Sequence, residues 1–118
     1  MNRKILTLIA LLLCPSAFAE GSWIATGTKI VSISPRNGDT DMFIIETSGG
    51  GGICAGQRIY FRQSDAVLSN GSNAAYERVY SSIMMAFVAD LKIDVHNPIS
   101  GDSNTTACIQ AVDIKITK

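Results

Sequence analysis

The spacing of apolar and polar positions changes along the chain, and each change predicts a different element. Ile24 to Ile33 is dense in β-branched residues (Ile24, Thr26, Thr28, Ile30, Val31, Ile33), the pattern of a long strand with Gly27 placed for a bulge. Ser34-Pro35-Arg36-Asn37-Gly38-Asp39 follows, rich in turn formers, with Asn-Gly as a hairpin signal. Met42 to Thr47 reads as a second strand, apolar on both faces at Phe43, Ile44 and Ile45. Gly49 to Gly52 cannot hold regular structure cheaply, because glycine has so much backbone freedom to lose, and a flexible hairpin connection is expected there. Ile53 to Arg62 then reads as a third strand, with Ile59 and Phe61 alternating against Arg58, Tyr60 and Arg62.

The period lengthens after the loop Asn70-Gly71-Ser72-Asn73, whose end is placed to cap a helix with Glu77 in its first turns. Tyr76, Val79, Tyr80, Ile83, Phe87 and Leu91 recur at steps of three and four, one face of a helix turned to a core. Met84, Met85, Ala86, Val88 and Ala89 make the second half apolar nearly all round. One helix on one small sheet cannot bury its whole circumference, so Met84, Met85 and Val88 are expected to face another chain unless the sheet wraps the helix. Lys92 to His96 is a short strand, Asn97 to Thr105 a polar loop, and Ala107 to Thr117 a last strand with Cys108, Val112, Ile114 and Ile116 on one face. The order is three strands, a helix and two strands. It suits a mainly β (β+α) fold: a five-stranded antiparallel barrel of the oligonucleotide/oligosaccharide-binding (OB) kind, with one helix between strands 3 and 4.

The N-terminal residues obey none of these patterns. Met1-Asn2-Arg3-Lys4 is basic, Ile5 to Leu13 is apolar apart from Thr7, and Ala17-Phe18-Ala19 offers small residues where a signal peptidase reads. A secretory leader over residues 1–19 is expected, too short and wrongly flanked to span a membrane, followed by a single domain over 20–118. A lipoprotein signal acylated on Cys14 fits less well, with bulky Leu13 before it and Pro15 after it. The leader changes the sums. The whole chain of 118 residues has ten basic and ten acidic groups, but removing Arg3 and Lys4 leaves eight against ten, a net charge of −2. Cys14 also goes, and Cys54 and Cys108 are expected to form one disulfide in an exported domain; the alternative is two buried free thiols. The localisation expected is secreted or periplasmic.

These sums exclude several chemistries. A net charge of −2 with no basic cluster offers no stripe to neutralise phosphates, so nucleic acid is not an expected partner. One histidine, His96, and no paired ligand spacing leave metal and other cofactors unexpected. The four glycines are not a phosphate loop, since no Gly-Lys-Ser/Thr and helix follow them. A hydrolase would have to assemble from Asp39, Asp41 and His96, ordinary acids of a polar turn and a histidine near a strand end, so no enzyme is expected. A binding module remains. Sugar recognition uses an aromatic face and planar polar groups, and the candidates are Trp23, Tyr60, Arg58, Arg62 and the turn acid Asp39. Each has a plainer role open to it: Trp23 can cover a barrel end, the arginines can form a solvated face with weak ion pairs, and Asp39 can serve its turn. Tyr76 and Tyr80, on the helix stripe, are assigned to packing.

The start at Trp23, Lys29-Ile30-Val31-Ser32-Ile33 leading into Asn37-Gly38-Asp39, and Met42-Phe43-Ile44-Ile45 make up a familiar arrangement. It continues through Ala75-Tyr76, Met84-Met85-Ala86-Phe87, Lys92-Ile93-Asp94-Val95, and Cys108 before Ile114. Over most of the chain this resembles the B subunits of the subtilase-cytotoxin and pertussis-like toxin group and their small uncharacterised secreted bacterial relatives. The resemblance implies an OB-like barrel, a ring-shaped homopentamer with helices around the pore, and binding of cell-surface glycans, often sialylated, beside a toxin A subunit. Ala89-Asp90-Leu91 departs from the glycine usual in that family before the lysine, and no residue of the family's serine-centred sialic-acid pocket is carried over. The expected function is glycan binding by a B-subunit-like protein. The other reading is a monomeric envelope accessory protein that binds another protein through its helix or barrel edge.

Overall fold

The computed structural model describes residues 22–36, 41–99 and 105–118. The expected leader, the turn tip with Asp39, and most of the polar loop after Pro98 lie outside the described residues. Five strands, β1 (Ser22–Arg36), β2 (Met42–Ser48), β3 (Arg58–Arg62), β4 (Lys92–Asn97) and β5 (Asp113–Thr117), form one antiparallel sheet in the order β3-β2-β1-β4-β5. Two helices, α1 (Gln63–Asn70) and α2 (Ala74–Val88), lie between β3 and β4, and a short 3-10 helix (Thr105–Ile109) precedes β5.

The central strand serves two neighbours along its length. Ser22 to Lys29 pairs with β4, and Lys29 to Arg36 pairs with β2. Gly27, at a break in the β4 register with φ of 60°, forms the expected bulge, and its amide donates to Asp94 Oδ1 at 2.7 Å. The strand alternation expresses burial as expected. Ile59 and Phe61 on β3 and Ile93 and Val95 on β4 face a core completed by Ile24, Phe43, Ile45, Ile83 and Ala86. Buried polar side chains are partnered: Thr28 Oγ1 donates to Ser48 O at 3.0 Å, Thr47 Oγ1 to Gln57 O at 2.9 Å, and Asn97 Nδ2 to Ala107 O at 3.0 Å.

The sheet is not closed into a barrel by a continuous ladder. Its two edges meet through a single parallel bridge between Phe61 and Ala111, where the Ala111 amide donates to Tyr60 O at 3.2 Å. The disulfide Cys54–Cys108 spans the same two regions, with Cα atoms 5.6 Å apart.

Four expectations about strand and helix limits and burial need correction. The third strand begins at Arg58, not Ile53, because Ile53 to Gly56 turns and carries Cys54 under β1, its amide donating to Ile24 O at 2.8 Å. Cys108 lies in the 3-10 helix, and the last strand starts only at Asp113. One helix was expected and there are two. The first is α1, whose Gln, Ser, Asp and Asn residues carry little apolar periodicity and which buries only Asp65 and Ala66. It ends at Gly71 in the left-handed region (φ 77°), with the Gly71 amide donating to Val67 O at 2.7 Å. The fourth correction is on α2, where Phe87 stays 40% exposed and Ala86 takes the buried position.

The glycine run is not a loose connection. Thr26 and Gly51 exchange both backbone hydrogen bonds, at 2.8 and 2.9 Å, which extends the β1–β2 side of the sheet. A Cβ on Gly50 would lie 2.3 Å from Thr26 O, and one on Gly52 2.6 Å from Ile24 O, at φ values of 81° and 100°. Both backbones approach β1 more closely than any other residue allows. Gly52→Ala is therefore expected to cost about 1–3 kcal/mol from the strained backbone and displaced strand. Gly49→Ala meets no atom within 4 Å and carries only its φ of 70°. Denaturant melts of the two variants check this: equal losses would mean that the close approach to β1 is unimportant.

Helix α2 stops by a two-bond closure. The Asp90 amide donates to Phe87 O at 3.3 Å and the Leu91 amide to Ala86 O at 2.9 Å, with Asp90 left-handed at φ 56° where glycine is usual. Asp90 tolerates this better than most residues and its carboxylate pairs with Lys29 Nζ at 3.1 Å. Leu91 is thereby turned back onto the core.

Candidate functional site

Among the described residues, Trp23 does not converge with Arg58, Tyr60 and Arg62, which share one strand. Trp23, 49% exposed at the start of β1, packs against His96 of β4 with ring centroids 4.9 Å apart. His96 in turn lies 3.5 Å from Asp113 Oδ2. Arg58 and Arg62 belong to β3, which pairs with β2, on the other side of β1 from Trp23's partner strand. Arg58 sits opposite Glu46 in the ladder, 3.9 Å away and solvated. Arg62 is taken up by Asp65, with Nε donating to Oδ2 at 2.8 Å and Nη2 to Oδ1 at 3.2 Å. Because the Asp65 side chain is buried, this pair anchors α1 to the end of β3 rather than leaving a guanidinium free. Tyr60 is half-buried between them, and Asp39 lies outside the described residues.

A concave site forms elsewhere, where the last residues of β1 and the first of β2 meet the N-terminal half of α2. A cavity of about 300 Å³ is lined by Pro35, Arg36, Asp41, Met42, Phe43, Tyr76, Glu77, Tyr80 and Ser81. Its floor follows from sequence. Phe43 is buried on the apolar face of β2 and stacks on Phe61, opposite it on β3, at 4.7 Å and 8°. Tyr76 and Tyr80 are one helical turn apart, so both rings reach the same Phe43, at 5.5 Å (tilted) and 4.9 Å (edge-on). Glu77 and Ser81, each one residue further along the helix, are exposed and line the cavity together with the exposed Arg36 and Asp41. Burial chiefly, then the charge of Asp41 and the neighbouring Tyr80, raises the Tyr76 phenol above its ordinary pKa, further from the neutral range in which any tyrosine is already a protonated donor. An apolar aromatic base with a polar rim can hold an amphipathic, hydroxyl-rich molecule.

Tyr76 and Tyr80 pack against the core as their place on the helix stripe predicts, and they also line the cavity, together with Arg36, Glu77 and Ser81, which no sequence motif singles out. The available signal was a pair of hydroxylated aromatics one turn apart in a stripe otherwise aliphatic until Phe87, with polar residues immediately after each.

A second surface feature adjoins the cavity. Val31, Ser32, Ile33, Pro35, Tyr80, Met84 and Phe87 line an apolar groove between β1 and α2, sharing Pro35 and Tyr80 with the first site. Met84, Met85 and Val88 are 38%, 55% and 79% exposed, as expected of residues that the sheet does not wrap. Beyond Lys29, β1 has a ladder partner on its β2 side only among the described residues. Among those residues, too, no three His, Cys, Asp or Glu side chains are grouped to hold a metal ion, and no helix is long and apolar enough to cross a membrane.

No curated protein and no solved structure matches the chain. A family model does, over residues 4–118, and the chain therefore belongs to DUF5992, a family of unknown function.

Proposed function

We propose that this chain is an exported, non-catalytic glycan-binding protein on an OB-like barrel, acting as a homo-oligomer in the manner of toxin B subunits. The observation that carries the reading is the cavity above Phe43, with Tyr76 and Tyr80 offering ring surface and Arg36, Asp41, Glu77 and Ser81 offering groups for hydroxyls. The strand order, the helices between β3 and β4, and the parallel bridge from Phe61 to Ala111 support the OB-like description. The Cys54–Cys108 disulfide suits an oxidising compartment, secreted or periplasmic. The apolar groove and the exposed Met84, Met85 and Val88 support the oligomer, with a pentamer as its form and a catalytic A subunit as a further partner.

A glycan array probed with the protein beginning at Glu20, together with its solution mass, tests both halves. Binding to a defined set of sugars is expected, at a mass several times that of one chain. Loss of binding on Trp23→Ala or Arg58→Ala would move the site to the strand residues first expected. A silent array from a monomer that captures a protein partner instead would support the accessory-protein reading through the same groove. Met85→Lys and Val88→Lys change only exposed positions, so they are expected to break the oligomer while the chain still folds, the melting midpoint falling only by the stabilisation that association supplied; an unchanged mass would place the interface elsewhere.

A further inference from the structure

We propose that the cavity above Phe43 selects a sugar bearing a free, protonated amine over one bearing a carboxylate, a specificity that rests on the glycan-binding reading. Among the described residues, two carboxylates, Asp41 and Glu77, line it against one guanidinium, Arg36, so these three charged groups sum to −1. Among the described residues none of these three is held in an ion pair within 4.0 Å, which leaves both carboxylates free to accept from a ligand. Tyr76 and Tyr80 place their rings beside those carboxylates, and an ammonium group is attracted both to a carboxylate and to the face of an aromatic ring. Asp41 lines the same cavity as Tyr76 and is close enough to oppose ionisation of its phenol.

The arginines that suited a sialic acid carboxylate, Arg58 and Arg62, do not line this cavity. Arg62 makes two bonds to the buried Asp65, and Arg58 faces Glu46. A carboxylated sugar entering the cavity would meet one guanidinium and two like charges, whereas an aminated sugar meets two opposite charges and one like. Acetylating the amine removes that attraction and adds bulk, while leaving the ring hydroxyls for Ser81 and the rim.

Titration calorimetry on the disulfide-bonded protein, at a pH where glucosamine is protonated, compares a glucosamine tetramer, its N-acetylated counterpart and sialyllactose. The glucosamine tetramer is expected to bind at least about tenfold more tightly than either of the others. Asp41→Asn and Glu77→Gln are each expected to erase most of that preference while the protein stays folded, since both side chains are solvated; Glu77→Gln should lower the melting midpoint slightly by removing an acid from the first turn of α2. Equal or tighter binding of the acetylated or sialylated sugar overturns the amine specificity and leaves the glycan reading standing. Binding of other, neutral glycans alone does the same. A protein that binds none of these and is silent on a glycan array overturns both. Amine preference that survives both substitutions removes the assignment to this cavity.

Discussion

Phe43→Ala is expected to lower stability by about 3–5 kcal/mol, the range for deleting a large buried aromatic. Phe43 is 1% exposed and touches three other rings: Phe61 across the β2–β3 ladder, and Tyr76 and Tyr80 from α2. Such ring pairs add roughly 0.5–1.5 kcal/mol each beyond area burial, so the upper half of the range is the expected outcome. The position also explains why the loss cannot be relieved by collapse. Phe61 and Ile59 are held by the strand ladder, and the tyrosines by a fifteen-residue helix, so no neighbour can move in without shifting an element. Phe43→Leu, which keeps most of the volume and loses the ring contacts, should cost far less. Denaturant unfolding of both variants decides the point. A loss below about 1 kcal/mol for the alanine variant would mean that α2 is not anchored to the sheet through this residue. Because Phe43 is also the cavity floor, the leucine variant should weaken ligand binding more than its stability loss implies.

The fold was largely written in periodicities, because burial and periodicity have the same cause. Ile93 and Val95 alternate with Lys92 and Asp94 since one face of β4 meets the core, and the stripe on α2 recurs because one side of it does. Where an element buries little, the signal fails: α1 is held by an ion pair and two buried residues, and nothing apolar recurs in it. Glycine is ambiguous in another way. The same run that permits a flexible loop is also the only run that lets two backbones touch, and only the fold shows that Gly50 and Gly52 lie against β1. The site was less legible than the fold. Arg58 and Arg62 are suitable residue types for a carboxylate, yet their partners depend on the β2–β3 register and on α1, neither fixed by local pattern. The cavity depends on α2 lying across the ends of β1 and β2, a relation between segments more than thirty residues apart in the chain.

Removing the crosslink is the other large effect. Cys54→Ala with Cys108→Ala is expected to cost about 4 kcal/mol, from the freedom returned to an unfolded loop of that length. The two cysteines are 54 positions apart and are both buried, Cys54 completely. Their location sharpens the expectation. Cys54 belongs to the turn that docks on β1 through the Ile24 carbonyl, and Cys108 to the 3-10 helix that leads into β5. The bond therefore ties together the two ends of the open sheet where hydrogen bonding between them is thinnest, at the single bridge from Tyr60 O to the Ala111 amide. Part of the loss should consequently appear as local opening of that seam before global unfolding. Amide exchange at Ala111 is expected to accelerate in the double variant by a larger factor than exchange at Ile93 or Val95 in the middle of β4, measured under conditions where all three open below the global limit. Thiol labelling of the unreduced protein should meanwhile find neither cysteine. A stability loss below about 1 kcal/mol, with Ala111 exchanging as before, would show that packing alone holds the edges together and that the disulfide is incidental to the fold.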